Sequence, residues 1–446
     1  MGKKILVCFL LLLGIVSTAV ADADADAAST GPILRVGLLA NQINIILSAD
    51  ADYVLTDTAT AETLVEFKAK QKAALSIKNK QITINGAAVA AREISVTVRG
   101  TGPQITEVNN RHYRGAITIH PTQGKTGLTA VDTLPLEEYL YGVIPTEISP
   151  AWPVEAMKAQ AVASRTYALY SMKKFHDDGY DVNTSTDCQV YKGRDIEDPR
   201  STKAVNDTFG QVILYQGKLI PAFFHSDGGG YTESSENVWG NYEPSLRGVV
   251  DYDQKSPHYY WKKEMKPQEL GDTLRAAGYD VGTLQAFELS ALTKQPVNAS
   301  DRGVSGRLKT IRIIGSTGSV EVSGAKFRSA LGLDSTLFDI KVVLPTEKSF
   351  NVDIVDSYGN IGTKVFEVNV PPLPERNLIT DKPTTRRIGG RGDETVVFSG
   401  YGWGHGLGLS QWGAKAMAEK ASDGDTTYFK EILKHYYTGV DIQKSY

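Results

Sequence analysis

Cysteine is nearly missing from this chain, whose 446 residues hold only Cys8 and Cys188. Cys8 falls in the apolar run Ile5 to Val16, behind Lys3 and Lys4 and ahead of a small-x-small site at Ala19-Val20-Ala21. That pattern predicts a cleaved secretory signal peptide over 1–21, too short and wrongly flanked for a membrane span. Cys8 follows Val7, so it does not read as a lipoprotein cysteine. Cys188 is then left alone, which excludes an intrachain disulfide and a cysteine-built zinc cluster. No later apolar run is long enough to cross a bilayer. An excess of basic charge is lacking too. With Lys3 and Lys4 removed, 46 basic residues face 51 acidic ones, a formal charge of −5. A mildly acidic exported chain is poorly suited to gripping nucleic acid.

Several catalytic signatures are also absent. There is no H-E-x-x-H and the seven histidines are scattered, which argues against a zinc protease or amidase. No G-x-S-x-G elbow and no G-x-G-x-x-G fingerprint can be drawn. Ser171 to Lys174 matches S-x-x-K and Lys125-Thr126-Gly127 matches K-T-G. Their order is the reverse of the penicillin-binding arrangement, and no S-D-N lies between them, so both read as chance. Cys188 as a nucleophile would need an activating histidine, with His176 or His225 as the candidates.

What is present predicts an α+β fold. After a polar leader over 22–32, residues 33–130 show short alternating apolar runs such as LRVGLL, INIIL, QITI and ISVTV. Asn85-Gly86, Gly100-Thr101-Gly102 and Asn109-Asn110 punctuate them, as expected of a β-rich N-terminal domain of small sheets or a sandwich. Residues 131–446 read as a second, mixed domain with an insertion over about 346–395, which includes Pro371-Pro372-Leu373-Pro374 and an RGD tripeptide read as coincidence.

At its centre lies Leu136 to Phe175. Pro135 can open a first helix and Pro145 is expected to stop it, which puts Glu147 on a short connection. Pro153 opens a second helix, alanine-rich and predicted to be buried on most sides. Met157, Ala161, Ser164, Ala168 and Met172 form its close-packing face. Lys158 and Arg165 stand seven apart, two turns along one face. Buried charges need either partner carboxylates or a polar cleft. Glu155 is a local partner for Lys158, while Arg165 has none as obvious.

Other motifs surround this pair. A polar loop carries Asp187-Cys188-Gln189-Val190-Tyr191-Lys192-Gly193. Gln216-Gly217 predicts a hairpin turn, and the chain beyond it delivers His225, Ser226 and the glycine run Gly228-Gly229-Gly230. Gly402, Gly404, Gly406 and Gly408 alternate with Trp403, His405, Leu407 and Leu409 on an expected strand. Glycine at every second position strips one face, so a ligand or the buried helix should lie against it. Trp403 and Trp412 can stack on sugar rings or pack the core. Ser410 should N-cap a final helix beginning at Gln411.

Five of these motifs, in order, carry a resemblance. LEEYLYGVIPTEISPAWPVEAMKAQAVASRTYA, DCQVYKG, FFHSDGGGYTESSENVWG, VSGAKFRSALGL and GWGHGLGLSQWGAKAMAEKA together resemble the SpoIID/LytB family of exported bacterial cell-wall proteins. The resemblance covers roughly 105–345 and 396–440. It implies a lytic transglycosylase that cleaves peptidoglycan glycan strands, chiefly those stripped of stem peptides. The family's essential glutamate falls on Glu147. The family's helix lysine and arginine fall on Lys158 and Arg165, its His-Ser on His225 and Ser226, and its C-terminal histidine on His405. Gln189, Tyr191, Gly229, Trp403, Ser410 and Gln411, in or beside the same motifs, are expected to bind substrate with them. The acid role requires a raised pKa, so Glu147 should be partly desolvated and not paired with Lys158 or Arg165. Some relatives bind a metal through a histidine and two cysteines. Here only His176 and Cys188 match, with Asp181 or Asp187 as stand-ins, and no metal or other cofactor is expected. The alternative reading is a glycan-binding module that stimulates a cell-wall amidase. Either way, the expected location is the periplasm or cell wall.

Overall fold

The computed structural model describes residues 31–102, 105–344, 349–355, 361–367, 382–390 and 392–446. The expected signal peptide, leader residues 22–30 and Pro371 to Pro374 lie outside the described residues. What is described is an α+β fold.

Alternation along 33–135 produces two antiparallel sheets. One runs Ile33–Gln42, Leu128–Pro135, Ala116–Pro121, Ile94–Val98, Tyr53–Asp57 and Thr63–Phe67, with Val182–Asn183 added in parallel at its edge. The other joins Asn44–Ala49 and Ala73–Lys78 to four shorter strands. Asn85-Gly86 and Asn109-Asn110 have positive φ at both residues, as tight hairpin turns require. Gln216-Gly217 does the same between Gln211–Tyr215 and Lys218–Leu219.

Two helices follow, Leu136–Glu147 and Val154–Ser171. Pro145 does not stop the first, as the sequence suggested. It lies in the last turn, where the hydrogen bond it forfeits is near the frayed end. Ile148 N still donates to Ile144 O at 3.0 Å, so Glu147 closes the helix rather than riding a loop. In the alanine-rich helix fifteen of eighteen residues are buried. Its small side chains let neighbours approach from several sides: Leu136–Glu147, Pro199–Asp207, Gln211–Tyr215 and the C-terminal helices Gln411–Ala418 and Phe429–Tyr436. One continuous apolar cluster joins the 33–135 strands to these helices.

A second cluster is separate. Trp261, Phe287, Phe327, Phe338 and Phe398 centre it, between the strands Tyr260–Met265, Thr395–Tyr401, Phe338–Val343, Leu284–Leu289 and Thr310–Gly315 and the helices Pro267–Ala276 and Gly324–Leu331. Within 346–395, Ser349–Val355 pairs with Ile361–Glu367, and Thr384–Arg387 joins the sheet beside Leu284–Leu289. Segments 227–235 and 402–408 tie the two clusters together. Glu233 accepts from the N–H groups of Val304 and Ser305, both at 3.1 Å. Arg307 donates to Gly228 O, and Gly404 N donates to Asp334 O.

The glycine run is not a regular strand. Gly402, Gly404, Gly406 and Gly408 all have φ between +67° and +108°, a region closed to most side chains. A Cβ on Gly408 would stand 2.1 Å from Phe223 O, and one on Gly404 3.0 Å from His225 Cβ. What lies against the stripped backbone is therefore the 223–229 segment and Arg307, not the alanine-rich helix. Strand Phe224–His225 runs parallel to Leu409–Ser410. Ser410 does N-cap Gln411–Ala418, accepting from Gly413 N at 3.2 Å, but a further helix follows at Phe429–Tyr436.

Candidate functional site

A cleft of about 710 Å³ opens where these segments meet, and Glu147 is on its wall. Gln189, His225, Ser226, Trp403, His405 and Gln411 line it as well. Seven of the twelve residues singled out from the sequence thus converge, although they are spread over 265 positions from Glu147 to Gln411.

Glu147 is half-buried at the C-terminal end of its helix, where the unpaired carbonyls disfavour a nearby negative charge. Burial raises its pKa above the ordinary carboxylate range; hydrogen bonds from Val190 N, at 3.3 Å, and Gln411 oppose that only in part. Among the described residues no cation is paired with it. Gln411 in turn donates to Gln160 Oε1 at 3.4 Å, which links the glutamate to the alanine-rich helix. Gln189 is buried and bonds Ser164 O and Tyr139. The other carboxylate on the cleft wall is Asp187, on an exposed loop.

Two histidines also line the cleft, their rings 5.6 Å apart. His225 Nδ1 faces Leu407 O at 3.1 Å and so carries the proton. His405 Nδ1 accepts from Leu407 N at 3.0 Å and so does not. Burial, with Arg307 nearby, holds both pKa values down, and Arg328 adds to the effect on His405, whose pKa falls to about 3. Both are therefore neutral. Ser226 donates to Asp227. Trp403 is 43% exposed and Trp239 48%, unusual for indoles and suited to stacking against a ligand ring.

Five predicted residues lie away from the cleft. Lys158 is buried, donating to Glu155 Oε1 at 2.8 Å and to Thr426 O at 3.0 Å. Arg165 is fully buried and forks onto Glu137 at 2.7 and 2.6 Å, with Val205 O and Gln211 O also accepting from it. Tyr191 is buried with its hydroxyl on Asp132. Gly229 donates to Asp253, and Ser410 is spent on its cap. These groups are engaged by protein partners and do not line the cleft. Asp181, weighed as a metal ligand, is ion-paired with Arg35.

Phe223, Trp239 and Arg328, which no sequence pattern singles out, also line the cleft. All three stand inside the motifs FFHSDGGGYTESSENVWG and VSGAKFRSALGL. An aromatic or arginine within a longer motif carries no signal of which way it points.

Comparison with known proteins gives a consistent picture. The profile of the family described as Stage II sporulation protein matches residues 124–215. An uncharacterized protein of Brachyspira hyodysenteriae is 31% identical over 337 residues, 75% of this chain and 73% of its own length. The amidase enhancer of Bacillus subtilis is 31% identical over 322 residues, 68% of this chain but only 40% of its own length. Stage II sporulation protein D of Bacillus subtilis is 26% identical over 344 residues, 72% of this chain and 78% of its own length.

Proposed function

The chain belongs to the SpoIID/LytB family, and from that premise we propose that it is an exported lytic transglycosylase acting on peptidoglycan glycan strands. The observation that carries this reading is the state of Glu147: a carboxyl group on a cleft wall, desolvated, with no cation among the described residues paired with it.

Glycoside hydrolases use two carboxyl groups flanking the bond, one as acid and one to activate water or attack. A transglycosylase needs one. Protonated Glu147 donates its proton to the glycosidic oxygen as the C1–O bond breaks. The resulting carboxylate then takes the proton from the muramoyl C6 hydroxyl as O6 bonds to C1, closing an anhydro ring. No water is consumed, and Glu147 ends protonated, ready for the next bond. Neutral His225 and His405 and the exposed indoles of Trp239 and Trp403 suit the uncharged face of a sugar ring.

Purified wild type and Glu147→Gln protein, incubated with amidase-treated strands, test this through anhydromuramoyl ends counted by mass spectrometry. The variant should lose about 10²–10⁴-fold in rate, the range for a general acid and base. Asp187→Asn should retain activity. Absence of anhydro ends from wild type defeats the enzyme reading, and equal yield from Glu147→Gln defeats the assignment of Glu147.

A second reading is favoured by the similarity to the amidase enhancer. There the cleft grips glycan without cutting it and a cell-wall amidase is the partner. Stimulation of an amidase by Glu147→Gln as strong as by wild type would support it.

A further inference from the structure

Arg328 is on the helix Gly324–Leu331, which rises from the second apolar cluster. Its Nε donates to Leu333 O at 3.0 Å, which fixes the plane of the guanidinium. The side chain lines the 710 Å³ cleft and also an adjoining recess of about 320 Å³, and Trp239 and His405 are shared by both. Ala325, Ser329 and Thr336 form part of the rest of the recess.

Other buried arginines spend their terminal nitrogens on the protein. Arg165 forks onto Glu137, and Arg302 reaches the carbonyls of Ser290, Gly306 and Phe338. Arg328 differs. Beyond the Leu333 bond, its guanidinium makes no hydrogen bond or ion pair among the described residues, although Asp334 is close enough to be felt. Burial pushes its pKa down, a sign that the cation is desolvated without being compensated. A fixed, half-buried fork with free donors in a cleft is suited to receive a planar anion such as a carboxylate.

On the reading of the cleft as a glycan site, on which this inference rests, the substrate supplies one such group. The sugars of a peptidoglycan strand are uncharged except at the lactyl ether of muramic acid. That arm ends in a carboxylate when free and in an amide when a stem peptide is attached. We propose that Arg328 is the specificity-determining residue that binds the free lactyl carboxylate, with the lactyl arm directed into the recess. An amide brings no charge and leaves the guanidinium unpaired, so strands that carry peptides are discriminated against.

Binding is measured in the Glu147→Gln background, so that no strand is cut. The ligands are amidase-treated strands and the same strands with their lactyl carboxyls converted to methylamides. Adding Arg328→Gln should weaken binding of the free-carboxyl strands about 10–100-fold, as for a lost charge-assisted hydrogen bond. It should leave methylamide strands unchanged, which also shows that the variant is folded. Arg328→Lys should recover part of the loss. Equal loss on both strands, or no loss on either, overturns the proposal. Failure of the parent to bind any strand is a different result: it overturns the glycan reading, and the proposal falls with it.

Discussion

Glu147 owes its raised pKa to burial and to where its helix ends. The carboxylate meets the negative pole of the helix and a wall that excludes water, and both oppose ionisation. Lys158 and Arg165, the nearest basic residues in the motif, are held by Glu155 and Glu137 and leave the proton alone. The consequence for pH has a definite sign. The acid step needs protonated Glu147, so kcat/KM on glycan strands should fall as pH rises through the raised pKa, above the usual limit of about 4.3 for a glutamate. Gln411→Leu removes a hydrogen bond to the ionised form and should move that limb to still higher pH. A rate that does not fall as pH rises above that usual limit would contradict the role. The same shift has a cost in stability. The folded state holds this proton more tightly than the unfolded chain, so stability is greatest below the unfolded pKa and declines as pH rises through the folded one. Glu147→Gln should therefore raise the free energy of unfolding at neutral pH by roughly 0.5–2 kcal/mol, measured by urea denaturation.

At the scale of elements, the alanine-rich helix is an anchor rather than a substrate platform. Arg165 joins it to Glu137 on the preceding helix, and Tyr446 and Gly210 also donate to that carboxylate. Arg165→Met leaves Glu137 buried without its cation and should cost about 3–5 kcal/mol in urea denaturation. KM for glycan strands should stay unchanged per folded molecule. A rise in KM at unchanged stability would return Arg165 to the binding role that its motif suggested. The spacing of Lys158 and Arg165 correctly indicated a shared helix face and the need to satisfy two buried charges. It did not reveal the partner, because Glu137 is 28 residues away and reaches Arg165 only when two helices pack. The glycine alternation likewise marked a backbone approached closely by something else. Its period of two suggested a strand, but positive φ at all four glycines turns the segment into a series of bends.

The molecule as a whole builds its cleft from both apolar clusters. Glu147, Gln189 and Gln411 belong to elements of the first, and Arg328 rises from the second. The 227–235 and 402–408 segments hold the two in register through Asp227, Glu233 and Arg307. Damage to the second cluster should therefore reach the cleft from one side only. Phe327→Ala, at the centre of its aromatic packing, should cost about 3–5 kcal/mol. Under conditions where it remains folded, it should raise KM more than it lowers kcat, because it loosens the Arg328 wall and spares the acid. A fall in kcat alone would show that Glu147 depends on the second cluster.

The sequence by itself determined the α+β character, the hairpins at Asn85-Gly86, Asn109-Asn110 and Gln216-Gly217, the buried alanine-rich helix and the prominence of Glu147. All of these rest on local rules: alternation, φ preference, proline position and side-chain size act within a few residues. Tertiary structure alone decided which charged groups face water, ligand or one another. It took Lys158, Arg165 and Tyr191 out of the cleft and brought Trp239 and Arg328 in. Burial and electrostatic pairing are properties of neighbours in space, and the neighbours that set them here come from distant parts of the chain.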